Sequence, residues 1–188
     1  MHRSVIIDEL KKSDSIDKIP IAFYYFDYRD KDCQTPNNVF SSILRQLVSA
    51  LPEIPKRVIE AHKKSLNSSI SELDKMLLEV IRNCDLVFIV VDALDECEEP
   101  RFRREFLLFL ERLKDIKTAR ILVTSRPHVS DIKEILCDYP QIKSIQADDH
   151  DLRLYIRHEF DYACLRNIVD TDSINDIVEI LVTKAQGM

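Results

Sequence analysis

Six consecutive apolar residues, Leu86-Val87-Phe88-Ile89-Val90-Val91, run without interruption into Asp92. The run is far short of the roughly 18 apolar residues that cross a bilayer. Its β-branched and aromatic side chains favour extended backbone. A strand that does not alternate apolar with polar residues has both faces covered, as in a parallel sheet sandwiched by helices. Two more segments read the same way: Ile19 to Tyr28 closes on Asp27, Arg29 and Asp30, and Arg120 to Thr124 closes on Ser125-Arg126-Pro127. A weaker strand is expected at Lys143 to Gln146.

Helical spacings separate these strands. Val5, Ile6, Glu9 and Leu10 belong to an opening helix, followed by the polar stretch Ser13 to Lys18. Asn37 and Asn38 can cap a helix carrying Val39, Phe40, Ile43, Leu44, Leu47, Val48 and Leu51, which Pro52 and Pro55 end. Further helices are expected at about 56–66, 70–83 (started by Ser69 or Ser71), 101–114 and 130–137. The acidic cluster Asp148-Asp149-His150-Asp151 opens another, with Leu152, Tyr155, Ile156 and Phe160, and a last covers about 173–186. Alternating strands and helices predict a three-layer α/β/α fold with a parallel sheet. At 188 residues, with 45% apolar and 32% charged side chains, the chain reads as one domain or part of one.

Several function classes drop out. The sequence has one glycine, Gly187, where ordinary usage of about 7% would supply roughly 13. Glycine-rich phosphate loops, dinucleotide fingerprints and nucleophile elbows need glycine where backbone approaches a ligand or takes positive φ, so these residues contain none of them. A net charge of −6 gives no attraction to nucleic acid or an anionic membrane. Cys33, Cys84, Cys97, Cys137 and Cys164 form no C-x-x-C pair and read as small buried thiols of an intracellular protein. No charged-then-apolar leader argues for secretion.

In an open parallel sheet the ligand crevice lies beyond the carboxyl ends of the strands. Asp92, Asp95 and Glu96 after the 86–91 run can form a magnesium-and-water site, one carboxylate holding the hydrated metal and another orienting the attacking water. They can equally cap the following helix. Ser125-Arg126-Pro127 taken alone reads as a surface turn, Asp27, Arg29 and Asp30 as a solvated turn with a local ion pair, and residues 148–151 as a helix start.

Leu86 to Cys97 resembles the Walker B segment of NACHT-type signalling NTPases of the STAND P-loop class, including fungal proteins with a nephrocystin-3-like N-terminal domain. Arg120 to Pro127 resembles their sensor segment, whose arginine faces the nucleotide phosphates. Ile21 to Asp30 followed by Val39 to Leu51 is similar to the family's strand with a trailing F-x-x-R-D and its next helix. Ile180 to Met188 resembles a later stretch of the family. The resemblance implies a P-loop NTPase-like sheet, Mg2+ and ATP as cofactors, Asp92 toward the metal, Asp95 and Glu96 as the catalytic acids and Arg126 toward the nucleotide. It also implies a cytoplasmic protein of signal transduction that pairs with itself or with full-length NACHT proteins.

Against that family, the chain looks truncated at both ends, a single incomplete domain over 1–188 that starts just after the lysine of the phosphate loop. Arg3 and Ser4 do not replace that loop. The family's first strand is expected between the strands ending at Asp92 and Thr124; without it the sheet either keeps a gap or closes by pairing those two directly. The leading expectation is a NACHT-type ATPase fragment with negligible turnover. The alternative is a non-catalytic interaction fragment that modulates a full-length relative through an exposed sheet centre. A third is a magnesium-dependent hydrolase using Asp27, Asp92 and Glu96 on neighbouring strands about 4.8 Å apart.

Overall fold

A computed structural model describes residues 7, 19–63, 69–137, 139, 143, 148–162 and 170–185. These fall into two compact units, 1–142 and 143–188.

In the first unit the three expected strands form one parallel sheet flanked by helices. Strand β1 is Ile21–Tyr25, β2 is Val87–Asp92 and β3 is Ala119–Val123, in the spatial order β1-β2-β3. Ile21 lies opposite Phe88, and Val87 opposite Ala119. The apolar run is therefore the central strand. Val91 is fully buried on one of its faces and Val90 is only 4% exposed on the other, so both faces are covered. Of the two sheets expected, the closed one is found. Val87 N–H donates to Thr118 O at 3.0 Å and Thr124 N–H to Val91 O at 2.9 Å. The exposed sheet centre is thereby corrected, because β2 is hydrogen-bonded along both edges.

Helix α1 (Pro36–Ser49) starts two or three residues earlier than expected. Thr35, not Asn37 or Asn38, is the cap, accepting from Asn38 N–H, and Pro36 fills the first turn where no donor is needed. Helix α2 is Lys56–Lys63 and α3 is Ile70–Arg82. Ser69 and Glu72 form a reciprocal capping box at the start of α3, the serine start that the sequence allowed. Helix α4 (Pro100–Leu113) brings Phe102, Phe106 and Phe109 to the sheet. They meet Phe26 and Phe40, with ring centroids 5.1 Å apart for Phe40 and Phe109 and 6.0 Å for Phe26 and Phe106. This phenylalanine cluster joins α1, α4 and the end of β1 in one core with Ala22, Val87, Ile89 and Val91.

The first strand is shorter than the apolar run that announced it, ending at Tyr25. Its outer edge is covered by a side chain: Gln46 of α1 accepts from Phe23 N–H at 3.1 Å and donates to Phe23 O at 2.9 Å, which blunts an edge that invites pairing. A short helix α5 (Ser130–Ile135) follows β3, and Arg103 of α4 holds it through Asp131 at 2.7 Å. The cysteine reading holds for Cys84 and Cys97, which are buried, and is corrected for Cys33 and Cys137, which are exposed. Burial pushes the Cys97 thiol up to about 11.

The second unit is a pair of helices, α6 (Asp149–Tyr162) and α7 (Thr171–Ala185). Ile174, Val178 and Val182 are buried against Leu152, Ile156 and Phe160. Asp151 N–H donates to Asp148 Oδ1 at 2.7 Å, so the acidic cluster opens α6 as a helix start.

The expected opening helix, Arg3, Ser4, Cys164, most of the expected 143–146 strand and residues 186–188 with Gly187 lie outside the described residues, although Ile7 is described and buried; residues 180–185 of the 180–188 stretch are the end of α7. Among the described residues no helix is long and apolar enough to cross a membrane.

Candidate functional site

The carboxyl ends of the three parallel strands converge on one cleft. Leaving β2 at Asp92, the chain turns through Ala93 in the left-handed region, with φ 53° and ψ 46°. For a residue with a Cβ this conformation costs about 1–2 kcal/mol. Leu94, fully buried, anchors the short 3-10 turn Leu94–Glu96 in the core. Asp95 and Glu96 then face the cleft, which encloses about 460 Å³ and is lined by Tyr28, Asp95, Glu96, Glu98, Arg126, His128 and Val129.

Arg126 arrives from the end of β3. Its N–H donates to Asp95 Oδ1 at 3.1 Å. Its guanidinium lies 3.4 Å from Asp95 and 3.6 Å from Glu96. The Asp95 side chain is only 7% exposed, while that of Arg126 is 64% exposed, so the arginine covers a nearly buried acid from the solvent side. Glu96 also accepts from Tyr28 N–H at 3.2 Å, which ties the loop after β1 to the same acids. Asp95, Glu96 and Arg126 are thus brought together as the sequence suggested.

The other candidates are placed elsewhere. Asp92 does not line the cleft; its Oδ1 accepts from the Thr124 hydroxyl at 2.5 Å. Asp27 and Arg29 pair with each other at 2.7 Å. That guanidinium and the Arg29 N–H hold the Asp27 carboxyl down to about 2. Asp30 N–H donates back to Asp27 O, and the Ser125 hydroxyl donates to Arg126 O. Lys31 pairs with Glu98 at the cleft rim. The residues missed by sequence reasoning are Thr124, Ala93, Tyr28 and His128. For Thr124 the available signal was a hydroxyl at a strand's carboxyl end, next to the arginine.

What the arrangement can hold follows from its charges. Three carboxylates line the cleft against one guanidinium, so the lining repels a polyanion except at Arg126. Among the described residues no three His, Cys, Asp or Glu side chains gather closely enough to hold a metal ion. Oxygen donors suited to Mg2+ are present in kind. As arranged, though, Asp92 is committed to Thr124, and Asp95 and Glu96 to Arg126, so the set does not fit a divalent cation.

Fold and cleft together define a parallel α/β protein whose acids and arginine meet at the carboxyl edge of the sheet. Comparison with known families is more specific: the family described as nephrocystin 3, N-terminal, matches residues 1–126. The chain belongs to that family, and the match runs through all three strands and ends at Arg126. No curated protein matches the chain significantly.

Proposed function

We propose that the cleft is a residual nucleotide site of the NACHT type, keeping the acids and the arginine and not turning over ATP by itself. The observation that carries this reading is Arg126 meeting both Asp95 and Glu96 at the carboxyl edge of β2 and β3. In this reading Glu96 and Asp95 are the acids that would orient water, and Arg126 is the cation that would face phosphate. ATP, a cytoplasmic signalling role and pairing with itself or a full-length relative follow from the resemblance; the family's Mg2+ does not fit the carboxylates as they are paired. The inactivity has two supports. A triphosphate needs a cradle of backbone N–H groups, which these residues cannot build without glycine. The cleft lining is also mostly anionic.

ATP turnover tests the proposal. The chain and its Glu96→Gln variant are expected to give the same background rate; saturable hydrolysis that Glu96→Gln abolishes would refute it.

A second reading, a non-catalytic interaction module, is favoured by the apolar surface of the second unit. Leu154 and Tyr155 on α6 are 55% and 63% exposed, and Ile180 and Leu181 on α7 are 55% and 43% exposed. Size-exclusion chromatography with a pull-down against an intact relative tests it. Capture that Tyr155→Ser weakens is the expected result, and a monomer that captures nothing would count against it.

A further inference from the structure

We propose that Thr124 is a positioning residue that holds the acid-bearing turn and the arginine-bearing loop at a set distance. The proposal rests on the nucleotide-site reading, since the groups it positions are Asp95, Glu96 and Arg126.

Four hydrogen bonds meet at this one residue. The Thr124 N–H donates to Val91 O at 2.9 Å and so continues the β2–β3 ladder one step past β3. Its hydroxyl oxygen accepts from Ala93 N–H at 2.9 Å. The same hydroxyl donates to Asp92 Oδ1 at 2.5 Å. Its carbonyl accepts from Leu94 N–H at 3.0 Å. The two amides that flank the Cα of left-handed Ala93, its own and that of Leu94, therefore both end on Thr124.

This explains how alanine stays where glycine is the ordinary occupant. A non-glycine residue at positive φ persists only where its surroundings over-determine it. Here the hydroxyl, the carbonyl and the buried Leu94 side chain do so together. It also assigns Asp92 a part: by accepting the hydroxyl proton, its carboxylate leaves the Thr124 oxygen lone pairs to Ala93 N–H. Two residues further along, Arg126 N–H reaches Asp95 Oδ1. Both sides of the cleft are thus referenced to one side chain. Valine has the same shape as threonine and cannot make the hydroxyl bonds; serine can.

Amide hydrogen exchange measured by NMR on the full chain, without nucleotide, tests the clamp. In Thr124→Val the Ala93 and Arg126 amides are expected to exchange up to about tenfold faster, the scale of one lost hydrogen bond. The Phe88 amide, which donates to Pro20 O near the start of β2, is expected to keep its rate. Thr124→Ser is expected to restore both fast amides. A general loosening that moves all three amides together would overturn the proposal, as would valine and serine variants that behave alike. Should Thr124→Val not fold, the unaltered protein decides. Its Thr124 hydroxyl proton is expected as a slowly exchanging resonance, and failure to find it overturns the clamp. ATP is not a reagent here, so a chain indifferent to nucleotide would refute the nucleotide site and leave this outcome readable.

Discussion

The sheet unit and the helical pair are stabilised by different physics. In the sheet unit, Phe40, Phe106, Phe109, Leu107 and Leu110 are 2% exposed or less, and among the described residues no charged residue is buried. In the helical pair, three buried aliphatic residues on α7 face three half-buried partners on α6. Much of the remaining order there comes from charge. Arg153 donates to Glu179 through two nitrogens at 2.8 and 2.9 Å, Arg157 donates to Asn175, and Asp170 accepts from Ser173 N–H and hydroxyl. A broad apolar core tolerates changes of pH and salt, whereas a narrow one fringed by ion pairs does not.

Among the described residues, Phe106 sits at the centre of an aromatic cluster that the helical pair lacks. It touches Phe26, Phe40, Phe102 and Phe109, so Phe106→Ala is expected to cost the sheet unit about 3–5 kcal/mol. Urea unfolding followed at β2 amides would measure it, and a loss below about 1 kcal/mol would deny that the cluster is the centre of the core. Val178→Ala in the helical pair is expected to cost less, about 1–2 kcal/mol, because its half-buried neighbours can close over the gap. Protection of α7 amides reads that change.

The smallest effect sharpens the contrast in charge. The hydrogen-bonded Arg153 guanidinium holds the Glu179 carboxyl below its ordinary range, and the Ser173 hydroxyl and N–H do the same for Asp170. A carboxyl lowered in the folded state contributes stability above its unfolded value, and that contribution is lost as pH falls through the folded one. Protection of α7 amides is therefore expected to fall below about pH 4; Asp27 and Glu72 act with the same sign in the sheet unit, but its larger apolar core leaves β2 amides with most of their protection. Arg153→Gln should remove part of the pH dependence and lower the protection of α7 amides slightly at neutral pH, the small effect of an exposed ion pair. Equal acid sensitivity in β2 and α7 would erase the distinction.

Much of the fold was legible because its signals are local. The unbroken run into Asp92 announced a covered strand, and the spacing of Val39, Phe40, Ile43, Leu44 and Leu47 announced the buried face of α1. Boundaries moved where another cap lay nearby, as Thr35 did before Pro36, whose ring suits the first helical position. In the cleft, Asp95, Glu96 and Arg126 were legible as polar residues after apolar strands, a position that parallel sheets turn into a crevice. Asp92 was legible for the same reason and is directed elsewhere, because a hydroxyl from the next strand takes its carboxylate. Ala93 gave no sign of positive φ, since its side chain disfavours the conformation it adopts.

From the sequence alone came the alternation of strands and helices, the 86–91 run as a strand covered on both faces, and the lack of a glycine cradle for phosphate within these residues. These depend on near neighbours and on composition. Only the tertiary structure decided that β2 and β3 pair without a gap, that Tyr28 and Glu96 meet across 68 residues, and that Thr124 clamps Ala93 across 31. Such contacts form when strands from distant parts of the chain come into register, and periodicity along the chain carries no record of which strand lies beside which.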